Sequence, residues 1–382
     1  MGLEIREKGQ ESESMDSPLT KLTSDGTPLL YFNPNPDQNI SSFPQSAINK
    51  IQVYVPDMFS SIMSAKPTVN PNYFSVKPHA DAWLARTFGQ SGKWATKNSK
   101  TDYAYLASMW APTCDEEALR TIVDWMHWAS YFDDQFDEGH LSKDLLAARE
   151  EIGIAIEIME GTQKQYVPEE SPIRYIFQTA WERIRKRSSG ELQQHSKEMH
   201  KRFFDGLIEQ VRATESQKTL ALSIEEYLHL RRGTIGIYPG ISLIEYAQGI
   251  ELPLNILKHP SLQECMCVSA DLALLANDIL SYKKDIAMGV DQNIIILLMN
   301  QGLSAQQALN RISDMINECY KRYYVALANM PIWGEKTDRS VLRFVEACRD
   351  AALGNLHWSF KTGRYLGNGG SQLYETRTLI IN

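Results

Sequence analysis

The sequence predicts an all-α protein: one large helical domain around an apolar cavity. Three observations carry that expectation. From "IQVYVPDMF" (51–59) onward, apolar residues recur at helical spacing with few alternating β patterns. Helix start and stop signals recur along the same stretch. No internal repeat and no Pro/Gly-rich linker interrupts the chain after residue 50.

Residues 1–50 are rich in Ser, Glu, Pro and Gly with little to bury, so they predict a disordered tail, leaving 51–382 as the folded domain. "TCDE" (Thr113 to Glu116) and "SIEE" (Ser223 to Glu226) match the capping-box pattern ahead of apolar periodicity. Residues 261–289 predict a long helix ended by Gly289, with lysines in its last turns. Another is predicted over 304–330, stopped by Pro331. "LRRGTIGIYPG" (230–240) packs Gly233, Gly236, Pro239 and Gly240 into an apolar pattern, which predicts a break.

Bulk properties narrow the function classes. Of 382 residues, 43% are hydrophobic and 23% charged, enough for a sizeable core. A formal charge of −8 argues against a nucleic-acid surface, which needs basic patches. No secretory-type apolar leader and no run of about 18 apolar residues suited to a bilayer are expected. The five cysteines are scattered and odd in number, suiting neither a disulfide framework nor a zinc site. The expectation is a soluble, cytoplasmic protein, with a homodimer as one admissible arrangement.

"YFDDQFDEGH" (131–140) sets four carboxylates, Asp133, Asp134, Asp137 and Glu138, at the end of a predicted helix. Carboxylates there oppose the helix dipole, and Asp133 and Asp137, one turn apart, repel each other. An exposed polar end is the ordinary reading of such a run. A hard divalent cation would turn both penalties into binding energy, and the adjacent "WMHWASYF" stretch looks buried. His127, about 120° round the helix from Asp133, reads as a packing residue.

"NDILSYKKD" (277–285) places Asn277, Ser281 and Asp285 at i, i+4 and i+8, on one face of an otherwise apolar helix. That amide, hydroxyl and carboxylate make an oxygen set suited to Mg²⁺, the alternative being a solvated polar stripe. Lys284 lies beside it. Arg231 and Arg232 precede the predicted break, and a surface salt bridge is the plain reading for one of them. Arg364 and Tyr365 follow Trp358 and Phe360 near the C-terminus, where Arg can grip phosphate oxygens bidentately. Together with 8 Trp, 17 Tyr and 12 Phe, these residues fit one substrate type: a metal-held diphosphate with an apolar tail. Its ionisation leaves a carbocation that aromatic faces stabilise.

With these motifs the chain resembles the fungal class I sesquiterpene synthases over roughly residues 52–370. "DDQFD" is similar to that family's aspartate-rich motif. "NDILSYKKD" is similar to its metal-binding triad, with Asp285 where most members have Glu. The resemblance implies a class I helical bundle and three Mg²⁺ ions. Asp133 and Asp137 would serve the aspartate-rich side, and Asn277, Ser281 and Asp285 the third ion. It also implies diphosphate contacts from Arg231, 46 positions ahead of Asn277, and from Lys284, Arg364 and Tyr365. Trp358, Phe132 and Ile235 are expected against the substrate. By the same resemblance, Thr234 and Ile235 would fall at the helix break that relays metal-driven closure into ionisation. The likeness is closer still to one member of that family, and this implies farnesyl diphosphate as substrate, closed 1,11 through humulyl- and caryophyllenyl-type cations to a polycyclic alcohol. A single aspartate-rich motif favours cyclisation over chain elongation. Rival readings are another sesquiterpene product (a koraiol-type alcohol or a hydrocarbon), a Mg²⁺-dependent phosphohydrolase and a non-catalytic prenyl-diphosphate-binding helical protein.

Overall fold

The computed structural model describes residues 51–381; the tail predicted over 1–50 lies outside the described residues. Fifteen α-helices dominate these residues. The first seven are α1 (Tyr73–Thr87), α2 (Gly92–Thr101), α3 (Tyr103–Trp110), α4 (Glu116–Asp137), α5 (Leu145–Glu160), α6 (Pro172–Arg187) and α7 (Gly190–Glu215). Then come α8 (Ile224–Thr234), α9 (Ile237–Gln248), α10 (Leu254–Leu257) and α11 (Pro260–Met288). The last four are α12 (Ile294–Asn300), α13 (Ala305–Ala328), α14 (Glu335–Lys361) and α15 (Gly370–Thr376).

Local chemistry explains several of the boundaries. Ser223 and Ser304 both head complete capping boxes, with Glu226 and Gln307 reaching back to the cap. The predicted cap at Thr113 is corrected: α4 starts two residues later, where Asp115 accepts from the Ala118 N–H. A carboxylate meets the helix's positive end better than a neutral hydroxyl. Gly289 ends α11 in the left-handed conformation, as its position in the sequence predicts. Lys283 and Lys284 stop short of that final turn.

One feature runs against the all-helix reading of the first folded segment. β1 (Ile51–Tyr54) pairs antiparallel with β2 (Thr378–Ile381), in register Ile51 to Ile381 and Tyr54 to Thr378. Its alternation is short, and only Val53 turns inward, to be covered with Leu379. The pairing ties the two ends of the described chain together. Its partner lies more than 300 positions away, beyond what a local periodicity can reveal.

α11 forms the spine. It packs against α8, α9, α12, α13 and α14, and most of its residues are buried. By length and composition it is apolar enough to cross a bilayer, against the expectation that no such run exists. However, 89% of its most apolar window is covered by the neighbouring helices, as befits a core helix hydrophobic all round. A second apolar layer stacks along α4, where Trp128, Phe132 and Phe136 recur every turn and meet Phe177 of α6 and Phe204 of α7.

Candidate active site

α3, α4, α7, α8, α9, α11 and α14 enclose a cavity of about 1000 Å³ counting its open mouth. Its polar lining includes Asp133, Asp137, Arg231, Asn277, Ser281, Lys284, Asp285, Arg364 and Tyr365. Trp358 and Ile235 line it as well. Two motifs about 140 positions apart in sequence thus face one space.

Phe132 is the exception and is corrected. It is buried in the aromatic layer against Trp128, Phe136 and Phe204, and does not line the cavity. The reason is geometric: consecutive helical residues point about 100° apart. If Ala129, Asp133 and Asp137 face the cavity, then Trp128, Phe132 and Phe136 face the core.

The four carboxylates divide their duties. Asp134 accepts from Arg364 Nη2 at 2.8 Å. Asp137 accepts from Gln210 of α7 at 2.5 Å. Glu138 is the C-cap residue of α4. Asp133 Oδ1 is buried with no hydrogen-bond partner. Burial, with Asp137 and Asp134 beside it, pushes the Asp133 carboxyl well above its usual range. Burial raises Asp137 too, against the pull of Arg231 and the Gln210 hydrogen bond.

Across the cavity, Asn277, Ser281 and Asp285 lie along one face of α11, as their spacing predicts. Ser281 Oγ donates to Asp285 Oδ2 at 2.5 Å, and Asn293 Nδ2 donates to the same oxygen at 2.9 Å. Asn277 Nδ2 donates to the Tyr365 hydroxyl at 3.0 Å, which leaves its amide oxygen for Arg231 at 3.1 Å. Burial also raises the Asp285 carboxyl.

The break after α8 is where the glycines predict it. α8 ends at Thr234, Gly236 has φ 74°, and α9 starts at Ile237. Arg231 in the last turn of α8 donates to Thr234 Oγ1 at 2.9 Å and to Asp278 Oδ1 at 3.0 Å. Arg232 points elsewhere, into a half-buried ion-pair group with Asp271 and Arg322, so only one of the two arginines serves the cavity.

Sequence reasoning missed several residues. Asp278, fully buried, also accepts from the Tyr227 hydroxyl and the Ile294 N–H, and so anchors Arg231 from behind. Ser130 and Tyr103 hold Arg364 beside Asp134. Gln210, Asn293, Gln292 and Trp110 complete the set. Asp278 carried a signal, as a charge in an apolar helix; the others had no local one.

The donors fit a divalent ion. Among the described residues, no group of three or more His, Cys, Asp or Glu side chains could hold a metal alone. The available oxygens are instead carboxylate, amide and hydroxyl, the mixture a hard cation accepts when water and substrate complete its shell. Three buried atoms on cavity-lining residues lack partners: Asp133 Oδ1, Arg231 Nε and Gln292 Oε1. Opposite charges left unsatisfied around one space are what a metal-bound anion would satisfy.

Comparison with known proteins agrees with this chemistry. Residues 124–322 match the family model described as terpene synthase family 2, C-terminal metal binding. The chain is 48% identical over 332 residues to (+)-eremophilene synthase of Gibberella fujikuroi, covering 87% of this chain and 93% of that one. It is 46% identical over 339 residues to (1R,4R,5S)-(−)-guaia-6,10(14)-diene synthase of Fusarium mangiferae, covering 86% and 84%. The crystal structure of germacradien-4-ol synthase from Streptomyces citricolor shares the fold, with TM-score 0.66 and 21% identity over 79% of this chain and 99% of that one. The chain belongs to the terpene synthase family and is a terpene cyclase of the fungal sesquiterpene synthase group.

Proposed function

We propose that this enzyme ionises farnesyl diphosphate with Mg²⁺, releasing diphosphate, and cyclises the resulting cation, which a water molecule then captures with loss of a proton to give a polycyclic sesquiterpene alcohol. One observation carries the reading: a single cavity joins a polar end, built by two oxygen-rich helix faces and three cations, to aromatic walls. On α4, Asp133 and Asp137 lie about 12–18 Å along the axis from Trp125. The diphosphate and the hydrocarbon would therefore occupy opposite ends.

Asp133 and Asp137 would hold Mg²⁺ from one side, and Asn277, Ser281 and Asp285 from the other, with three ions in all. Bound there, Mg²⁺ supplies Lewis-acid stabilisation of the charge that grows on the departing oxygens. Arg231, Lys284, Arg364 and Tyr365 add hydrogen-bond donors for the same oxygens, and buried Arg231 and Arg364 hold their charge firmly. For both, burial opposes the charge and the neighbouring carboxylates outweigh it. Trp125, Phe203 and Trp358 line the cavity with aromatic surface that would stabilise a migrating cation.

The motifs of the chain resemble those of presilphiperfolan-8β-ol synthase, which supports 1,11-closure through humulyl- and caryophyllenyl-type cations and that alcohol as product. A koraiol-type alcohol or a hydrocarbon would come from the same cavity by another quench. The unpaired state of all five cysteines supports a reducing, cytoplasmic setting. The test is purified enzyme with farnesyl diphosphate, with Mg²⁺ or with chelator, and products read by gas chromatography–mass spectrometry. A Mg²⁺-dependent sesquiterpene alcohol is expected. Diphosphate release with no terpene product would overturn cyclisation.

A further inference from the structure

Four helices define a depth axis for the cavity, and they agree. On α3, Tyr103 sits at the polar end, where its hydroxyl meets Ser130 and Arg364. Leu106 and Trp110 follow on the same face, with Trp110 about 10 Å further along. On α14, Trp358 stacks on Tyr103, while Gly354, one turn deeper, lies against Trp110. Gly236, just before α9, and Ile237 at its start line the space past the break, and Gly240, one turn on, meets Trp110 as well. On α4, the order from polar to apolar is Asp137, Asp133, Ser130, Met126, Trp125. Trp110 therefore lies at the end remote from the carboxylates.

Its indole is confined on both sides. A Cβ at Gly240 would come within 2.6 Å of its Cη2, and one at Gly354 within 2.8 Å of its Cδ1. Such distances are overlaps, so both glycines form a notch that only a hydrogen atom allows. The indole N–H donates to the Ala351 carbonyl at 3.0 Å, and the Trp110 carbonyl accepts from Gln248 at 3.1 Å. The ring is thereby pinned by its polar edge and by shape.

Building on the cyclase reading above, we propose that Trp110, held in the Gly240–Gly354 notch, is the floor that sets the length of the isoprenoid chain. A diphosphate anchored at the polar end fixes where the first carbon lies. A tail longer by one isoprenyl unit then has to occupy the volume of the indole. Removing the ring should admit that unit, and displacing it into the cavity should exclude the farnesyl tail.

The test compares geranyl, farnesyl and geranylgeranyl diphosphates with Mg²⁺, scoring diphosphate release and extracted products. Trp110→Ala should raise geranylgeranyl relative to farnesyl turnover by about tenfold or more, since hydrophobic pockets discriminate by about 10–200-fold per methylene. Gly354→Ala should act oppositely, lowering farnesyl relative to geranyl turnover. An unchanged ratio in folded Trp110→Ala, checked by its thermal melt, overturns the proposal. If that variant does not fold, Trp110→Phe and Gly354→Ala decide it, and unchanged ratios in both overturn it. Wild-type enzyme inert to all three diphosphates would refute the cyclase reading and the inference with it. Farnesyl turnover by wild type with no shift in the variants refutes the inference alone.

Discussion

Arg231 Nη2 donates to Asn277 Oδ1 at 3.1 Å, joining the last turn of α8 to the cavity-facing side of α11. The same guanidinium grips Asp278, so one arginine is shared between a structural anchor and a residue assigned to the cavity. Arrival of an anion would compete for those donors, and the Thr234 contact beside the helix break would feel the change.

Losses at the two oxygen-rich faces should be unequal to losses beside them. Asp133→Asn and Asn277→Ala should each lower kcat by at least about a hundredfold, while Glu138→Gln should stay within about tenfold. Steady-state kinetics with farnesyl diphosphate checks this. Equal activity in all three variants would dissolve the site assignment.

Stability should move the other way at Asp133. Burial and its carboxylate neighbours raise this group above the ordinary value of about 4, so the folded chain binds its proton more readily than the unfolded chain does. Its contribution is complete below the ordinary value and is lost as pH climbs through the folded one. In chelator, the Tm advantage of Asp133→Asn over wild type should therefore grow as pH rises from about 4. A gap that stays constant with pH would contradict this account.

Asp285 is held by two donors, Ser281 and Asn293, in a geometry fitted to the shorter side chain. Asp285→Glu should keep metal-dependent turnover within about tenfold but shift the Mg²⁺ requirement, whereas Asp285→Ala should lose at least about a hundredfold. Mg²⁺ titrations of kcat/KM distinguish them. Indistinguishable titrations for the two variants would remove Asp285 from the site.

Trp358 stacks on Tyr103 and donates its indole N–H to the Thr101 carbonyl at 2.7 Å. Trp358→Leu should redistribute products while leaving metal dependence intact, since about 1.4 kcal/mol between competing cations changes a ratio tenfold. An unaltered product profile by chromatography would place the cation elsewhere.

α7 and α8 cross at Gly206 and Gly233, where a Cβ on Gly206 would lie 2.7 Å from the Gly233 backbone. Gly206→Ala should cost about 1–3 kcal/mol, lower the Tm, and reduce turnover by displacing Arg231 on α8. A melt and kinetics like those of wild type would show that the crossing yields without consequence.

Much of this site is legible in the sequence. Asn277, Ser281 and Asp285 share a face because i+4 spacing on a helix requires it, whatever the surroundings. Gly236 marks its own break, since its φ of 74° is one that glycine adopts without strain. Phe132, expected against the substrate, instead faces the core, because the 100° turn per residue points it away from its neighbour Asp133. The β1–β2 pair was missed because strand pairing depends on a distant partner.

The sequence by itself determined the all-α character, several helix ends, and the two faces of oxygen donors, since these follow from spacing and capping within a few residues of chain. Only the tertiary structure decided which carboxylate is paired and which is left bare, which arginine enters the cavity, and where the cavity ends. Those outcomes turn on contacts such as Arg364 with Asp134 and Trp110 with Gly354, between residues 230 or more positions apart. Packing of whole helices sets such distances, and no local pattern encodes them.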